Sequence, residues 1–389
     1  MCCGALFFFL SFNIVLPELS DFLKRLNGIE YLGWIIPAFS LSALVARPLS
    51  GWITDNLGRK WAMIGGCVFC IAAGFLYPFV GTVTAFFVVR IIHGFSTGFT
   101  PTGFTAYTAD TVSHEFRGRA MGWQGTFNNI GTSFGYALGA LIVNYFGVNQ
   151  LFIASSIFAI LALVMFSMLP ETKPAEAKRK FEFNIQNLFY LPAWKPALLM
   201  FLVCISLGSI LTVMPDYTIS LGYENKGLYL TIYITFSLIF RLFSGSVSDK
   251  LGRPWSTAIG TIGQFISMLL LIFNPFRYAF FISAFFYGIG QGFNAPSLFA
   301  WAGDTATAQN RGKALAALFM TLELGIIFGG VFSGKIFTNW KLGYNTVFAM
   351  NAFFFFVAFV LSVGFILQNR RAAKTHPDTT ENRHYKNRA

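Results

Sequence analysis

The chain has 389 residues and a formal net charge of +12; 55% of its residues are hydrophobic and only 11% are charged. Ordinary soluble domains carry roughly a quarter charged residues, so this composition excludes a soluble protein and indicates one that lies in a lipid bilayer. Because the basic residues concentrate in the loops on one side of the predicted helices, the positive charge indicates orientation in the membrane. A nucleic-acid partner is not expected.

Apolar stretches follow one another along the chain, each long enough to cross a bilayer, which takes about 20 helical residues. Many contain Gly, Pro or Ser, as packed membrane helices do. Their residues do not alternate between polar and apolar, which argues against a membrane barrel. We therefore predict an all-α membrane protein with twelve transmembrane helices, at residues 2–18, 31–53, 61–80, 83–108, 120–145, 150–169, 195–216, 227–247, 256–274, 276–302, 314–336 and 345–367.

Polar segments divide this chain into two halves of six helices. Residues 170–193 form a cytoplasmic linker between the half at 1–169 and the half at 194–367. Residues 368–389 are charged and lack a hydrophobic pattern, so we predict a disordered cytoplasmic tail there. With the amino terminus in the cytoplasm, most of the basic loop residues also face the cytoplasm, as the positive-inside rule requires. Both termini are therefore predicted to be cytoplasmic.

The two halves repeat one polar motif. Residues 47–61 read RPLSGWITDNLGRKW, and residues 241–255 read RLFSGSVSDKLGRPW. When these two stretches are aligned, Asp110 also aligns with Asp304, and Arg117 aligns with Arg311. In a membrane protein, a duplication in parallel order indicates two halves that face each other across a central pathway.

This doubled motif resembles the signature loop of the major facilitator superfamily, Gly-x3-Asp-(Arg/Lys)-x-Gly-Arg-(Arg/Lys). Asn56 and Pro254 each replace a basic residue of that pattern, in the first and second copy respectively. The resemblance covers all twelve predicted helices. It implies a multi-pass transporter of a bacterial inner (plasma) membrane that moves a small solute by alternating access. We expect a monomer that binds a small molecule and contacts the lipid bilayer.

The motif predicts a gate at the cytoplasmic side. In each copy the first glycine lacks a side chain and would let its helix pack closely against the opposite half. Arg59 is expected to reach Asp110, and by symmetry Arg253 to reach Asp304. The resemblance implies that such a network closes the cytoplasmic side, whereas solvated loop charges are the alternative. The predicted gate residues are Gly51, Asp55, Gly58, Arg59, Asp110, Arg117, Gly245, Asp249, Gly252, Arg253, Asp304 and Arg311.

Ionisable residues inside the spans are the candidates for proton coupling, because charges in hydrocarbon are expensive and usually functional. Arg90, His93 and Gly94 resemble the helix 4 motif Arg-x-x-Gln-Gly, which is associated with proton-coupled transport in the family. Glu323 lies near the centre of its span, where a carboxyl group in low dielectric is readily protonated. The sequence leaves open whether Glu323 or His93 carries the proton, or whether these groups only bond neighbouring helices.

Further polar residues lie within or at the ends of the spans. Glu18 and Asp216 each follow a proline at matching outer helix ends, so they are candidates for an outer gate or for a helix-end role. Candidate contacts for substrate are the amide side chains of Asn13, Asn128, Asn129, Gln291 and Asn294.

The direction of transport has two interpretations. Four of six positions of the family's helix 5 antiporter motif are present, at Gly122, Gly131, Gly135 and Gly139, and close helix packing is the alternative explanation for these glycines. The first hypothesis is proton-driven export of drug-like or metabolite compounds, as in the drug:proton antiporter type. The alternative is a proton symporter that imports a sugar, an organic acid or an amino acid.

Other functional classes fit poorly. The sequence shows no metal-ligand spacing, no pair of nucleophile and base and no phosphate-binding loop, so neither an enzyme nor a metal site is expected. The helix count and the duplication argue against a seven-helix receptor. No cofactor is expected, and the proton gradient would supply the energy.

Overall fold

The computed structural model describes residues 1–113, 116–172, 190–274, 278–306, 311–338 and 342–375. These residues are predominantly helical, and no strand occurs among them, so the predicted all-α fold is confirmed. The α-helices are α1 (Cys2–Asn13), α2 (Leu19–Arg25), α3 (Ile35–Asn56), α4 (Arg59–Leu76), α5 (Val83–Thr111), α6 (Arg117–Phe146), α7 (Val148–Ser167), α8 (Trp194–Ser220), α9 (Leu228–Leu251), α10 (Arg253–Phe273), α11 (Ala279–Asp304), α12 (Arg311–Thr338) and α13 (Gly343–Thr375).

The first predicted span consists of two helices. A short 3₁₀ turn, Leu16–Glu18, separates α1 from α2, and Pro17 lies inside it. Proline has no backbone N–H and its ring clashes with the preceding turn, so an α-helix rarely continues through it. The helical path resumes at Leu19 and ends at Arg25, beyond the predicted end at residue 18.

The last helix is longer than predicted. α13 runs to Thr375, so the prediction of disorder is wrong for residues 368–375. The segment after residue 367 reads QNRRAAKT, in which Gln, Arg, Ala and Lys all have high helix propensity. Basic residues in a last turn also interact favourably with the helix dipole. Residues 376–389, and residues 173–189 of the predicted linker, lie outside the described residues.

Ten helical segments of the described chain are long and apolar enough to cross a membrane. α6 and α11 are not among them, although they are 30 and 26 residues long. These two helices carry four of the predicted polar contacts, Asn128 and Asn129 in α6 and Gln291 and Asn294 in α11. Polar side chains in a spanning helix normally face the protein interior or a water-filled cavity.

The chain forms two compact units whose boundaries differ from those of the two sequence halves. The first unit comprises Met1–Ile185, Ile205–Thr235 and Glu323–Val347, and the second comprises Gln186–Cys204, Phe236–Leu322 and Phe348–Ala389. Two segments of the second sequence half therefore belong to the first unit. Contacts of these segments with α2, α3 and α6 account for this grouping.

In the first unit, glycines let α1 approach α6 closely. A Cβ atom at Gly131 would lie 2.2 Å from the carbonyl oxygen of Leu6, and one at Gly139 would lie 2.5 Å from that of Ile14. Gly135 faces α1 in the same way. These three glycines of the antiporter-like pattern therefore serve close packing, as the alternative interpretation predicts.

In the second unit, α10 and α11 are joined by polar side chains. Ser256 pairs with Ser297 at 2.5 Å, and Ser267 pairs with Ser283 at 2.9 Å. Between these pairs, the Nδ2 group of Asn294 donates to the buried amide oxygen of Gln264. Such bonds hold membrane helices together where lipid supplies no hydrophobic driving force.

Candidate functional site

The first copy of the loop motif ties three helix ends together. Gly58 separates α3 from α4 with φ of +135°, a conformation that side-chain-bearing residues rarely adopt. The Nε of Arg59 donates to Asp110 Oδ2 at 2.8 Å, and its Nη1 donates to Asp55 Oδ1 at 3.1 Å. Nη1 also donates to the carbonyl oxygen of Thr54 at 2.6 Å. One guanidinium thus links the ends of α3 and α5 to the start of α4.

The second copy has the same geometry. Gly252 has φ of +99°, and the Nε of Arg253 donates to Asp304 Oδ2 at 2.8 Å. Its Nη1 donates to Asp249 Oδ1 at 2.6 Å and to Ser248 Oγ at 2.9 Å. The duplicated sequence is therefore a duplicated structure, and both predicted Arg–Asp contacts are present. The side chains of Arg117 and Arg311 lie outside the described residues.

The role of the first glycine in each motif copy stays a prediction. A Cβ atom at Gly51 or at Gly245 would meet no other described atom within 4 Å. The side-chain partners of Arg59 all lie in the first sequence half, and those of Arg253 all lie in the second. In this structure the described bonds of the motif stabilise helix ends within each half, and closure of the cytoplasmic side by the motif stays a prediction.

Glu171 completes the first motif, and the sequence did not reveal it. Its Oε1 accepts from the backbone N–H of Arg59 at 2.8 Å, and its Oε2 accepts from that of Lys60 at 3.2 Å. The first N–H groups of a helix have no partner within the helix and carry a partial positive charge, which a carboxylate can satisfy. Glu171 thus stabilises the start of α4.

Glu323 is not an isolated carboxyl group. Its Oε1 accepts from Nη2 of Arg47 at 2.8 Å, and their side chains are 8% and 23% exposed, respectively. Arg47 lies near the middle of α3, and Glu323 near the middle of α12. This ion pair joins the two sequence halves within the first unit. In the sequence, Arg47 stands out only as the first residue of the repeated stretch 47–61.

Arg90 and His93 lie in the packed interior of the first unit rather than beside Glu323. The Nε of Arg90 donates to the carbonyl oxygen of Ile35 at 3.0 Å, and its guanidinium stacks 4.3 Å from the centre of the Phe39 ring. His93 is fully buried, with Nε2 3.5 Å from the sulfur of Cys70. The structure thus separates the predicted coupling residues: Arg90 and His93 pack between helices, whereas Glu323 forms an ion pair with Arg47.

The predicted amide contacts lie in two places. In the first unit, the Nδ2 of Asn13 donates to the carbonyl oxygen of Phe9 at 2.7 Å and to Thr132 Oγ1 at 3.2 Å, while Asn128 and Asn129 are half-buried in α6.

In the second unit, Asn294 donates to Gln264 Oε1 at 2.6 Å. Gln291 is half-buried on the same helix, and its Nε2 has no hydrogen-bond partner among the described residues. Asn13 and Asn294 therefore join helices, whereas Gln291 keeps an amide group for another partner.

Glu18 and Asp216 belong to one charged network, at the end of the first unit opposite the motif. Lys226 Nζ lies 2.7 Å from Glu18 Oε2 and also pairs with Asp21. Lys24 Nζ lies 2.8 Å from Asp216 Oδ1. The network joins α2 to the end of α8 and its following loop. Lys226 is its central cation, and the sequence had not singled it out because it lies in a loop.

Lys226→Gln is expected to weaken this end of the unit. Glu18 is only 4% exposed and would lose its cation, and breaking a buried pair costs on the order of 3–5 kcal/mol. We expect a lower unfolding temperature in detergent and faster labelling of an Ile219→Cys variant, since Ile219 lines a cleft of about 270 Å³ beside Lys226. Arg25→Gln, which removes an exposed charge from α2, is the control. Equal unfolding temperatures for the two variants would contradict the assignment.

The pH dependence of this network follows from the lysine. Burial lowers the pKa of Lys226, but Glu18 and Asp21 outweigh it and raise that pKa above its ordinary value. A raised pKa in the folded state means that the stabilisation is complete below the ordinary lysine pKa and is lost as pH rises through the folded value. The lysine's contribution should therefore persist through the neutral range and disappear only in strong alkali.

Comparison with known proteins agrees with this architecture. The model of a family described as the Major Facilitator Superfamily matches residues 1–228 and 196–388. The chain is 24% identical over 373 residues to "Multidrug resistance protein 2" of Bacillus subtilis (strain 168), covering 92% of this chain and 90% of that protein. It is 25% identical over 338 residues to the "Staphylopine export protein" of Staphylococcus aureus (strain Mu50 / ATCC 700699), covering 83% and 84%.

Among solved structures, the crystal structure of the D-xylose-proton symporter matches with a TM-score of 0.78 at 18% identity, over 93% of this chain and 95% of that one. At this identity the likeness concerns the fold alone. The family match spans both halves, and the loop motif that predicted it has the same geometry in each. The chain therefore belongs to the Major Facilitator Superfamily and is a membrane transporter.

Proposed function

We propose that this transporter exports small drug-like or metabolite compounds across the plasma membrane by alternating access, in exchange for protons. Two relatives carry the names of a multidrug resistance protein and an export protein, which favours export over import. The ion pair between Arg47 and Glu323 is the observation that best supports proton coupling. A buried carboxyl group can be ionised and paired with a cation, or protonated and neutral, and in the neutral form it no longer attracts the cation strongly.

The coupling step involves α3 and α12. While Glu323 is ionised, its attraction to Arg47 holds α12 against α3. A proton arriving from outside neutralises the carboxylate and weakens this attraction, which lets the two helices separate. Release of the proton to the cytoplasm restores the pair. Export then follows if the compound occupies its site while Glu323 is ionised and leaves when Glu323 is protonated.

We also propose where the termini lie, what supplies the energy and how many copies form the transporter. The distribution of basic loop residues supports cytoplasmic placement of both termini. The chain needs no bound cofactor in this scheme, because the proton gradient supplies the energy, and one copy contains both halves of the pathway. We therefore propose a monomeric, multi-pass protein of the plasma membrane.

Transport in vesicles tests this proposal. In inside-out vesicles with an acid lumen, a fluorescent aromatic dye should accumulate, and a protonophore should abolish the accumulation. Single-cysteine labelling of Thr380→Cys in a cysteine-free background tests the cytoplasmic placement of the carboxyl terminus in the same vesicles, and vesicles without the protein are the control. Uptake of a sugar, organic acid or amino acid into right-side-out vesicles with acid outside would instead establish symport and overturn the export assignment.

A further inference from the structure

Tryptophans cluster at one end of the second unit. Trp194 begins α8, Trp255 lies in the first turn of α10, and Trp301 lies in the last turn of α11. Trp194 is 48% exposed and Trp255 is 37% exposed. Tryptophan is enriched where a membrane protein meets the headgroup layer. This end of the unit therefore lies at a membrane surface.

Two basic side chains rest on aromatic rings of the same end. Lys195 Nζ lies 5.2 Å from the centre of the Phe365 ring and 5.9 Å from that of Trp194. The guanidinium carbon of Arg370 lies 5.6 Å from the centre of the Trp255 ring. A ring attracts a cation and restricts its position, but it does not neutralise the charge.

The acidic side chains of this end do not compensate these two cations. Asp249 and Asp304 both pair with Arg253, at 2.6 Å and 2.8 Å. Within the described part of the chain, neither Lys195 nor Arg370 forms an ion pair with a carboxylate. Lys195 and Arg370 thus retain positive charges that are held in place.

The continuation of α13 sets the depth of Arg370. The apolar part of the helix ends near Leu367, and the helix goes on to Thr375. At 1.5 Å per residue, the helix extends about 12 Å beyond the apolar part. That length corresponds to the headgroup layer, and Arg370 is exposed within it.

We propose that Arg370, held on Trp255, binds the phosphate headgroup of an anionic phospholipid, and that Lys195, held on Trp194 and Phe365, adds a second fixed positive charge at the same end of the unit. The guanidinium can donate two parallel hydrogen bonds to phosphate oxygens, and the ammonium attracts the anionic lipid as a point charge. An anionic lipid is favoured over a zwitterionic one because Arg370 and Lys195 are both cations, and they would repel the positively charged amine of a zwitterionic headgroup. The bound lipid would fix the ends of α8 and α13 at the membrane surface.

Native mass spectrometry of the full-length protein in detergent tests this site, with phosphatidylglycerol and phosphatidylcholine as probes. The wild type should bind phosphatidylglycerol more tightly. Lys195→Gln combined with Arg370→Gln should weaken that binding about thirty-fold, since each basic side chain near an anionic surface contributes about 1 kcal/mol. Arg25→Gln with Lys335→Gln removes two charges at the predicted opposite side and should leave the preference intact.

Charge-conserving variants distinguish binding from a structural role. Lys195→Arg with Arg370→Lys should keep most of the preference for phosphatidylglycerol, and phosphatidylglycerol should raise the unfolding temperature of these variants and of the wild type. Equal binding of both lipids by the wild type, an unchanged preference in the glutamine double variant, or displacement of the lipid by equimolar glycerol phosphate would each overturn the proposal. The assay measures lipid alone, so its result is independent of what the protein transports.

Discussion

Glu323→Gln is expected to abolish proton-driven transport while leaving the protein in the membrane. Glutamine keeps the size of the side chain and can still accept a hydrogen bond from Arg47, but it cannot gain or lose a proton. Gradient-driven accumulation of substrate in vesicles should therefore fall to the background, whereas exchange of substrate across the membrane without a gradient should survive. The measurement is accumulation and exchange in the same vesicle preparation.

A charge exchange separates coupling from helix packing. Glu323→Gln should lower the unfolding temperature, because the amide cannot form the ion pair with Arg47, and breaking a buried pair is destabilising by about 3–5 kcal/mol, less where one partner is partly exposed. Arg47→Glu combined with Glu323→Arg restores an ion pair and should recover stability without recovering transport. Accumulation by the glutamine variant that still responds fully to a pH gradient would remove Glu323 from the mechanism.

If Glu323 is not the proton carrier, His93 is the remaining candidate. Its ring is fully buried against Phe39, Tyr77 and Cys70, so a proton would need an opening of the first unit to reach it. Glu323 lies 2.8 Å from the guanidinium of Arg47, so loss of its charge would directly weaken this contact between α3 and α12. This difference in surroundings is the reason to test Glu323 first.

Duplication explains which parts of the site the sequence could predict. Arg59 with Asp110 and Arg253 with Asp304 were predictable because each contact supports the other through the repeat. The pair of Arg47 and Glu323 has no such support: the position equivalent to Glu323 in the first half is Asn129, so the repeat contains no second acid for comparison. The contact depends on how segments of the two sequence halves pack together, which residue spacing does not encode.

The sequence did not single out the two charged loop residues, Glu171 and Lys226, for a related reason. Glu171 and Lys226 lie outside the apolar spans, where a charged residue is unremarkable in sequence. Their importance comes from partners far along the chain, the start of α4 for Glu171 and Glu18 for Lys226. The long apolar helices themselves were predictable because hydrophobic length determines them, whereas the break at Pro17 and the polar continuation of α13 follow local backbone rules.

The two motif copies offer a matched experiment. Arg59 and Arg253 each donate from Nε to an aspartate at 2.8 Å, but their side chains are 9% and 24% exposed, respectively. Their partners differ in the same direction, with Asp110 30% exposed and Asp304 56% exposed. An exposed pair contributes about 0–1 kcal/mol, and a buried pair that loses one partner is destabilised by about 3–5 kcal/mol. Because the two pairs have equal geometry but unequal burial, loss of the aspartate should destabilise the first copy more than the second.

Asp110→Asn is accordingly expected to lower the unfolding temperature and the transport rate more than Asp304→Asn does. The amide leaves the guanidinium of Arg59, which is only 9% exposed, with Asp55 as its remaining described carboxylate, at 3.1 Å. Asp304→Asn leaves Arg253 with Asp249 at 2.6 Å and with more water around it. Asp110→Glu preserves the charge and should fall between Asp110→Asn and the wild type. Equal losses in the two copies, measured by thermal unfolding and by dye transport, would mean that the role of the motif lies in transient contacts of the transport cycle rather than in the helix-end bonds seen here.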